Sequence, residues 1–186
     1  MSSRAVFLDR DGTIIEDLGY PSDPEKVELI SGVGAALSAL RREGWLLVLV
    51  STQSGVGRGL IDARSVWLVH DRMLELLQPY GVTFADSRYC LHAPWEGCAC
   101  RKPSPLMLVE ASRQLDIDLA ASFMVGDKPV DTEAGARAGC RTVLFASAGG
   151  SLALPVEPEL VVENWSHVSR HIMASGVERR TEASAE

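Results

Sequence analysis

The 186-residue chain is 46% hydrophobic and carries 18 Lys and Arg against 25 Asp and Glu, a formal net charge of −7. That balance offers no extended basic face and argues against a nucleic-acid partner, and no apolar run approaches the roughly 20 residues that cross a bilayer. The opening Met-Ser-Ser-Arg lacks the apolar core of a secretory leader, so a cytoplasmic monomer with no membrane partner is expected. The length suits a single domain, placed at 1–176, followed by a polar, disordered tail at 177–186.

Taken in chain order, residues 5–8 form an apolar run of strand length that ends in Asp9 and Asp11, one residue apart, before a Gly-Thr turn. Residues 33–42 place Val33, Leu37 and Leu40 on one helical face, and Gly44 stops that helix. A second buried strand over 45–50 leads into Ser51-Thr52-Gln53-Ser54-Gly55-Val56-Gly57-Arg58-Gly59, a hydroxyl at the strand end followed by a glycine-rich turn. Asp62 is the N-cap of a helix over 62–78 carrying Val66, Val69, Met73, Leu74 and Leu77. Helices over 104–115 and 130–139 alternate with strands at 122–125 and 141–145. A Gly, Ala, Ser and Pro loop over 147–158 leads to a short strand near 160–162 and a helix near 165–174. Apolar strands without alternation, separated by helices, predict a doubly wound, mostly parallel α/β sheet.

In such a sheet, ligands bind at the carboxyl ends of the strands. Four motifs fall there. Asp9 and Asp11 suit metal-assisted phosphoryl chemistry. Ser51 and the N–H groups after it suit phosphate oxygens. Arg101 and Lys102 suit a transferring phosphoryl group and a second anion. Gly126-Asp127-Lys128-Pro129-Val130-Asp131 suits completion of a divalent oxygen site.

Residues 90–100 contain Cys90, His92, Cys98 and Cys100 in a Cys-x-His-x5-Cys-x-Cys pattern. A cytosolic chain does not keep a disulfide, and three thiols with one imidazole match tetrahedral Zn2+. Four protein ligands leave no open position, so the zinc is expected to be structural and to fix the loop that delivers Arg101 and Lys102. Cys140 stands apart and reads as a buried apolar residue.

Asp-x-Asp-Gly-Thr, then Ser, then Lys, then Gly-Asp-x-x-x-Asp, in that order over residues 7–145, resembles the haloacid dehalogenase (HAD) superfamily of aspartate-nucleophile phosphatases. The resemblance implies that Asp9 is the nucleophile, Asp11 the acid/base, Ser51 a phosphate ligand and Lys102 the charge stabiliser. It also implies Mg2+ held by Asp9, Asp11 and Asp127, with Asp131 supporting Lys102 or the metal shell. A zinc loop together with the absence of a cap-sized insertion narrows the resemblance to the capless group of D-glycero-D-manno-heptose 1,7-bisphosphate phosphatases and histidinol-phosphate phosphatase domains. Asp17-Leu18-Gly19-Tyr20, Gln53-Ser54-Gly55 running on to Arg58-Gly59, and Gly126-Asp127-Lys128 are similar to the heptose family. That family implies a small phosphorylated sugar as partner, with C7 phosphate removed to give heptose 1-phosphate for nucleotide-activated heptose and lipopolysaccharide. It implies substrate contacts from Asp17, Gly19, Tyr20, Ser51, Thr52, Gln53, Ser54, Arg58, Arg101, Lys102 and Lys128. The chain departs from the pattern at Ser51-Thr52, where the family has Thr-Asn, and at Leu106, where it has Gly. Histidinol phosphate or a broad range of small phosphates is the alternative substrate class, and a silent phosphate-binding protein the alternative of another kind.

Overall fold

The computed structural model describes residues 2–146 and 155–182, with side chains through Ser175. In chain order the elements are β1 (Ala5–Leu8), α1 (Val33–Arg42), β2 (Leu46–Thr52), α2 (Ser54–Gly57), α3 (Ala63–Leu77), β3 (Asp86–Cys90), α4 (Leu106–Leu115), β4 (Phe123–Gly126), α5 (Pro129–Ala138), β5 (Arg141–Phe145), β6 (Leu160–Val162) and α6 (Trp165–Glu182). The strands form one parallel six-stranded sheet in the order β3-β2-β1-β4-β5-β6. The order reverses between β1 and β4, which opens the crevice at their carboxyl ends where such sheets bind ligands.

Successive residues of a strand point to opposite faces, and β1 shows how this builds two cores. Val6 and Leu8 pack with α1, α3 and α6 through Leu37, Leu40, Met73, Trp165 and Ile172. Ala5 and Phe7 pack on the other face with α4 and α5 through Met107, Leu108, Ala111 and Ala134. All four β1 side chains are therefore fully buried, which is why the run reads as continuously apolar. Trp165 locks α6 to the loop after β1 by donating its indole N–H to the Thr13 carbonyl at 2.9 Å.

The expected α/β architecture holds, and no inserted domain lies between β1 and α1, where the chain makes a single 3-10 turn at Pro24–Lys26. The fold is capless. Three features differ from expectation. β3 went unrecognised because it is an edge strand with the polar sequence Asp-Ser-Arg-Tyr-Cys, and Arg88 ties Asp86 to Glu110 of α4. The glycine-rich turn after β2 is a short helix, α2. The last helix runs to Glu182, through the first residues of the expected tail, while 183–186 and the loop at 147–154 lie outside the described residues.

Candidate active site

The carboxyl end of β1 delivers Asp9, Arg10 and Asp11, all buried. Lys102, which follows the loop after β3, reaches back to this edge. Its Nζ lies 2.7 Å from Asp9 Oδ1 and 2.6 Å from Asp131 Oδ1, and it donates to the Val50 carbonyl at 3.0 Å. Burial alone would lower the Lys102 pKa, but the charges of Asp131 and Asp9 outweigh it and hold the ammonium protonated well above its ordinary range. A buried ammonium between two carboxylates is thus a fixed charge.

Asp11 has a different set of partners. Arg10 Nε and Nη2 donate to its two oxygens at 3.1 Å each, and Gln53 Nε2 donates to Oδ2 in a short hydrogen bond. Burial raises the Asp11 pKa against the opposing pull of Arg10, which suits a carboxyl that must carry a proton. Gln53 also donates to Ser51 Oγ at 2.9 Å.

Carboxylate oxygens of Asp9, Asp127 and Asp131 lie within 4.8 Å of one another. Asp127 Oδ1 is buried without a hydrogen-bond partner, and burial, followed by the charge of Asp9, pushes this carboxyl up to about 7. An orphaned oxygen among clustered hard donors is what a small divalent cation satisfies, so these residues fit Mg2+. Gly12 makes the approach possible: its φ is +78°, and a Cβ there would stand 2.3 Å from Asp127 Oδ2. Asp11, expected among the magnesium ligands, lies outside the cluster because its carboxylate is turned to Arg10 and Gln53.

The thiols and imidazole of the zinc motif converge after β3. Cys90 Sγ is 3.6 Å from Cys98 Sγ and 3.7 Å from His92 Nδ1, and Cys100 Sγ is 3.3 Å from His92 Nδ1. A tetrahedral Zn2+ with bonds of about 2.3 Å to sulfur and about 2.0 Å to nitrogen has ligand edges of roughly 3.5 to 3.8 Å; two of these separations fall in that range and the third is slightly short of it, so the set is compatible with the ion. The loop is seated on α2, where Gly57 donates to the Leu91 carbonyl at 2.9 Å and a Cβ on Gly57 would stand 2.2 Å from Ala93 N.

A cavity of about 380 Å³ opens beside Lys102, lined by Asp11, Asp17, Gly19, Tyr20, Thr52, Gln53, Ser54, Arg101, Lys128 and Asp131 among others. Lys128 bridges the cavity wall, with Nζ 2.9 Å from Asp17 Oδ2 and 3.5 Å from Asp127 Oδ2. The Oγ1 of Thr52 and the Nη1 of Arg101 are buried there without partners. A larger cavity of about 650 Å³ lies between α3 and β3, among Leu74, Val82 and Phe84; it contains none of the strand-end motifs, which gather instead around the smaller one.

Comparison with known proteins agrees with this geometry. The HAD-hydrolase-like family model matches residues 99–167. D-glycero-beta-D-manno-heptose-1,7-bisphosphate 7-phosphatase from Photorhabdus laumondii is 41% identical over 152 residues, covering 78% of this chain and 81% of the relative. The chain belongs to this phosphatase family. The namesake from Haemophilus ducreyi is also 41% identical, over 82% of this chain and 87% of its own. The solved structure of D,D-heptose 1,7-bisphosphate phosphatase from B. bronchiseptica, complexed with magnesium and phosphate, matches with a TM-score of 0.82 at 33% identity, covering 92% of this chain and 98% of that one. The protein is therefore a HAD phosphatase, a phosphoric monoester hydrolase.

Within this phosphatase, most residues expected to touch substrate do line the cavity. Ser51 is buried beneath it, 1% exposed and bonded to Gln53. Arg58 stands away from it, with its guanidinium carbon 5.6 Å from the ring centre of Trp95. In the sequence Arg10 is only an arginine flanked by apolar strand and acid, because its partners Val66 and Tyr89 are distant along the chain. Among the described residues, no helix is long and apolar enough to cross a membrane.

Proposed function

We propose that this phosphatase uses Mg2+ to remove the C7 phosphate of D-glycero-β-D-manno-heptose 1,7-bisphosphate through an aspartyl-phosphate on Asp9. The supporting observation is the Asp9–Lys102–Asp131 bridge beside a cavity whose cations, Lys102, Arg101 and Lys128, are spread along its wall. One phosphate needs one cluster of charge, and a sugar bisphosphate needs two. The β anomer is the choice carried over from the names of the relatives.

An Asp9 oxygen attacks phosphorus, and the bond from phosphorus to the C7 oxygen breaks. Asp11 gives its proton to the leaving oxygen, then takes one from the water that attacks the aspartyl-phosphate, restoring both carboxyls and releasing phosphate. Lys102 neutralises charge on the transferring group without moving, since Asp131 and Val50 fix it. Asp9 and Asp127 are the side chains assigned to hold Mg2+, with Asp131 beside them. When bound, the cation screens the repulsion between Asp9 and the phosphate oxygens. The Cys90, His92, Cys98 and Cys100 set holds a structural Zn2+ that keeps Arg101 and Lys102 on the site.

The test is Mg2+-dependent phosphate release from the α and β heptose 1,7-bisphosphates and from histidinol phosphate, with Asp9→Asn as control. Preference for the β bisphosphate supports the assignment. Better turnover of histidinol phosphate moves the substrate to the neighbouring family, and activity that survives Asp9→Asn removes the covalent route.

A further inference from the structure

Arg10 is fully buried, so it cannot touch substrate. It spends three of its donors on a rigid frame: Nε and Nη2 fork onto Asp11, and Nη1 donates to the Val66 carbonyl of α3 at 3.3 Å. Its guanidinium carbon lies 5.8 Å from the ring centre of Tyr89 on β3, within the range of cation–π attraction. Tyr89 is itself pinned, since its hydroxyl lies 2.8 Å from His70 Nδ1, and Trp67 packs edge-on against both rings. The carboxyl assigned to proton transfer is thereby tied to two elements outside its own loop.

We infer that Arg10, backed by Tyr89 and His70, is the positioning residue that aims Asp11 at the leaving oxygen. The inference rests on the acid/base reading of Asp11. A planar fork onto both carboxylate oxygens sets the plane of that group, which a single donor such as Gln53 leaves free to rotate. A proton donor held by rotation about two side-chain bonds must be oriented before reaction if it is to act at full effect. The bland alternative is a stitch between β1 and α3 with no bearing on the chemistry.

The two differ in how they treat leaving groups. An alkyl oxygen, as in a sugar phosphate, needs the proton; a nitrophenolate does not. The experiment measures single-turnover cleavage of the heptose bisphosphate and the nitrophenolate burst from p-nitrophenyl phosphate, for wild type, Arg10→Lys, Tyr89→Leu and Asp11→Asn. Arg10→Lys is expected to slow alkyl cleavage by about ten-fold or more with KM within about three-fold, and to leave the burst within about three-fold. Tyr89→Leu is expected to show the same selectivity at smaller size, and it decides the matter if Arg10→Lys does not fold. Equal losses on both substrates, or no loss on either, overturn the positioning role. If Asp11→Asn cleaves the alkyl ester normally, the acid/base reading fails and takes this inference with it; if Asp11→Asn is inactive on that ester while Arg10→Lys and Tyr89→Leu are normal, the positioning role alone fails.

Discussion

The ammonium of Lys102 lies 2.7 Å from Asp9 Oδ1 across 93 residues of sequence, and both groups are buried. Its second contact, with Asp131 Oδ1, makes the lysine a bridge between the Asp9 carboxylate and the first turn of α5. Lys102→Met removes the ammonium that pairs with both acids. Phosphate release under saturating Mg2+ is expected to fall by about 10²- to 10³-fold. The measurement is steady-state turnover alongside a thermal melt, because unpaired buried carboxylates also weaken the fold.

The Cys90–Cys100 loop runs directly into Arg101 and Lys102, so, if the proposed zinc and lysine roles hold, metal content and activity are expected to fall together. Cys98→Ser should lower zinc from one ion per chain, read by elemental analysis, and reduce kcat. Gly57→Ala tests the seat of the loop independently. Its Cβ would meet the Ala93 backbone at 2.2 Å, so the loop must shift, and weaker zinc retention with reduced kcat is expected from a residue that ligates nothing.

Cation binding at Asp127 is expected to depend on pH in a defined sense. Its carboxyl is raised from 3.8 to about 7 in the folded chain. A folded value above the unfolded one means that, without Mg2+, this group's contribution to stability is fully present below 3.8 and is lost as pH rises through about 7. Mg2+ needs the deprotonated form, so its apparent affinity should fall as pH drops below 7. Thermal melts with and without Mg2+ at pH 5.5 and 7.5 check this; the Mg2+-induced rise in Tm should be larger at the higher pH.

Lys128 and Arg101 are expected to report on the phosphate that is not cleaved. Lys128→Met should raise KM for a sugar bisphosphate by about ten-fold, with a smaller effect on a monophosphate and on kcat, since a binding contact made equally in ground and transition states acts on KM. Arg101→Met should behave similarly. An equal KM change for both substrates would place Lys128 at the cleaved phosphate instead.

Much of this was legible locally. Asp9 with Asp11, Ser51 with Gln53, and Asp127 with Lys128 each follow an apolar strand, and a parallel sheet gathers its carboxyl ends by construction. The clustering of Cys90, His92, Cys98 and Cys100 was legible for the same reason, because all four lie within eleven residues. The edge strand β3 was not, since polar residues on a half-exposed edge lose the apolar signature of a buried strand.

Chain order and residue type alone determined the sheet class, the reaction class and the metals the donor sets suit, because each motif is short and its chemistry resides in its own side chains. Tertiary structure decided which groups meet: Lys102 with Asp131 as well as Asp9, Asp11 with Arg10 rather than with the carboxylate cluster, and Arg58 with Trp95 rather than with the cavity. Such pairings depend on strand order and on the direction each side chain leaves its backbone, and those are set by packing among residues far apart in sequence.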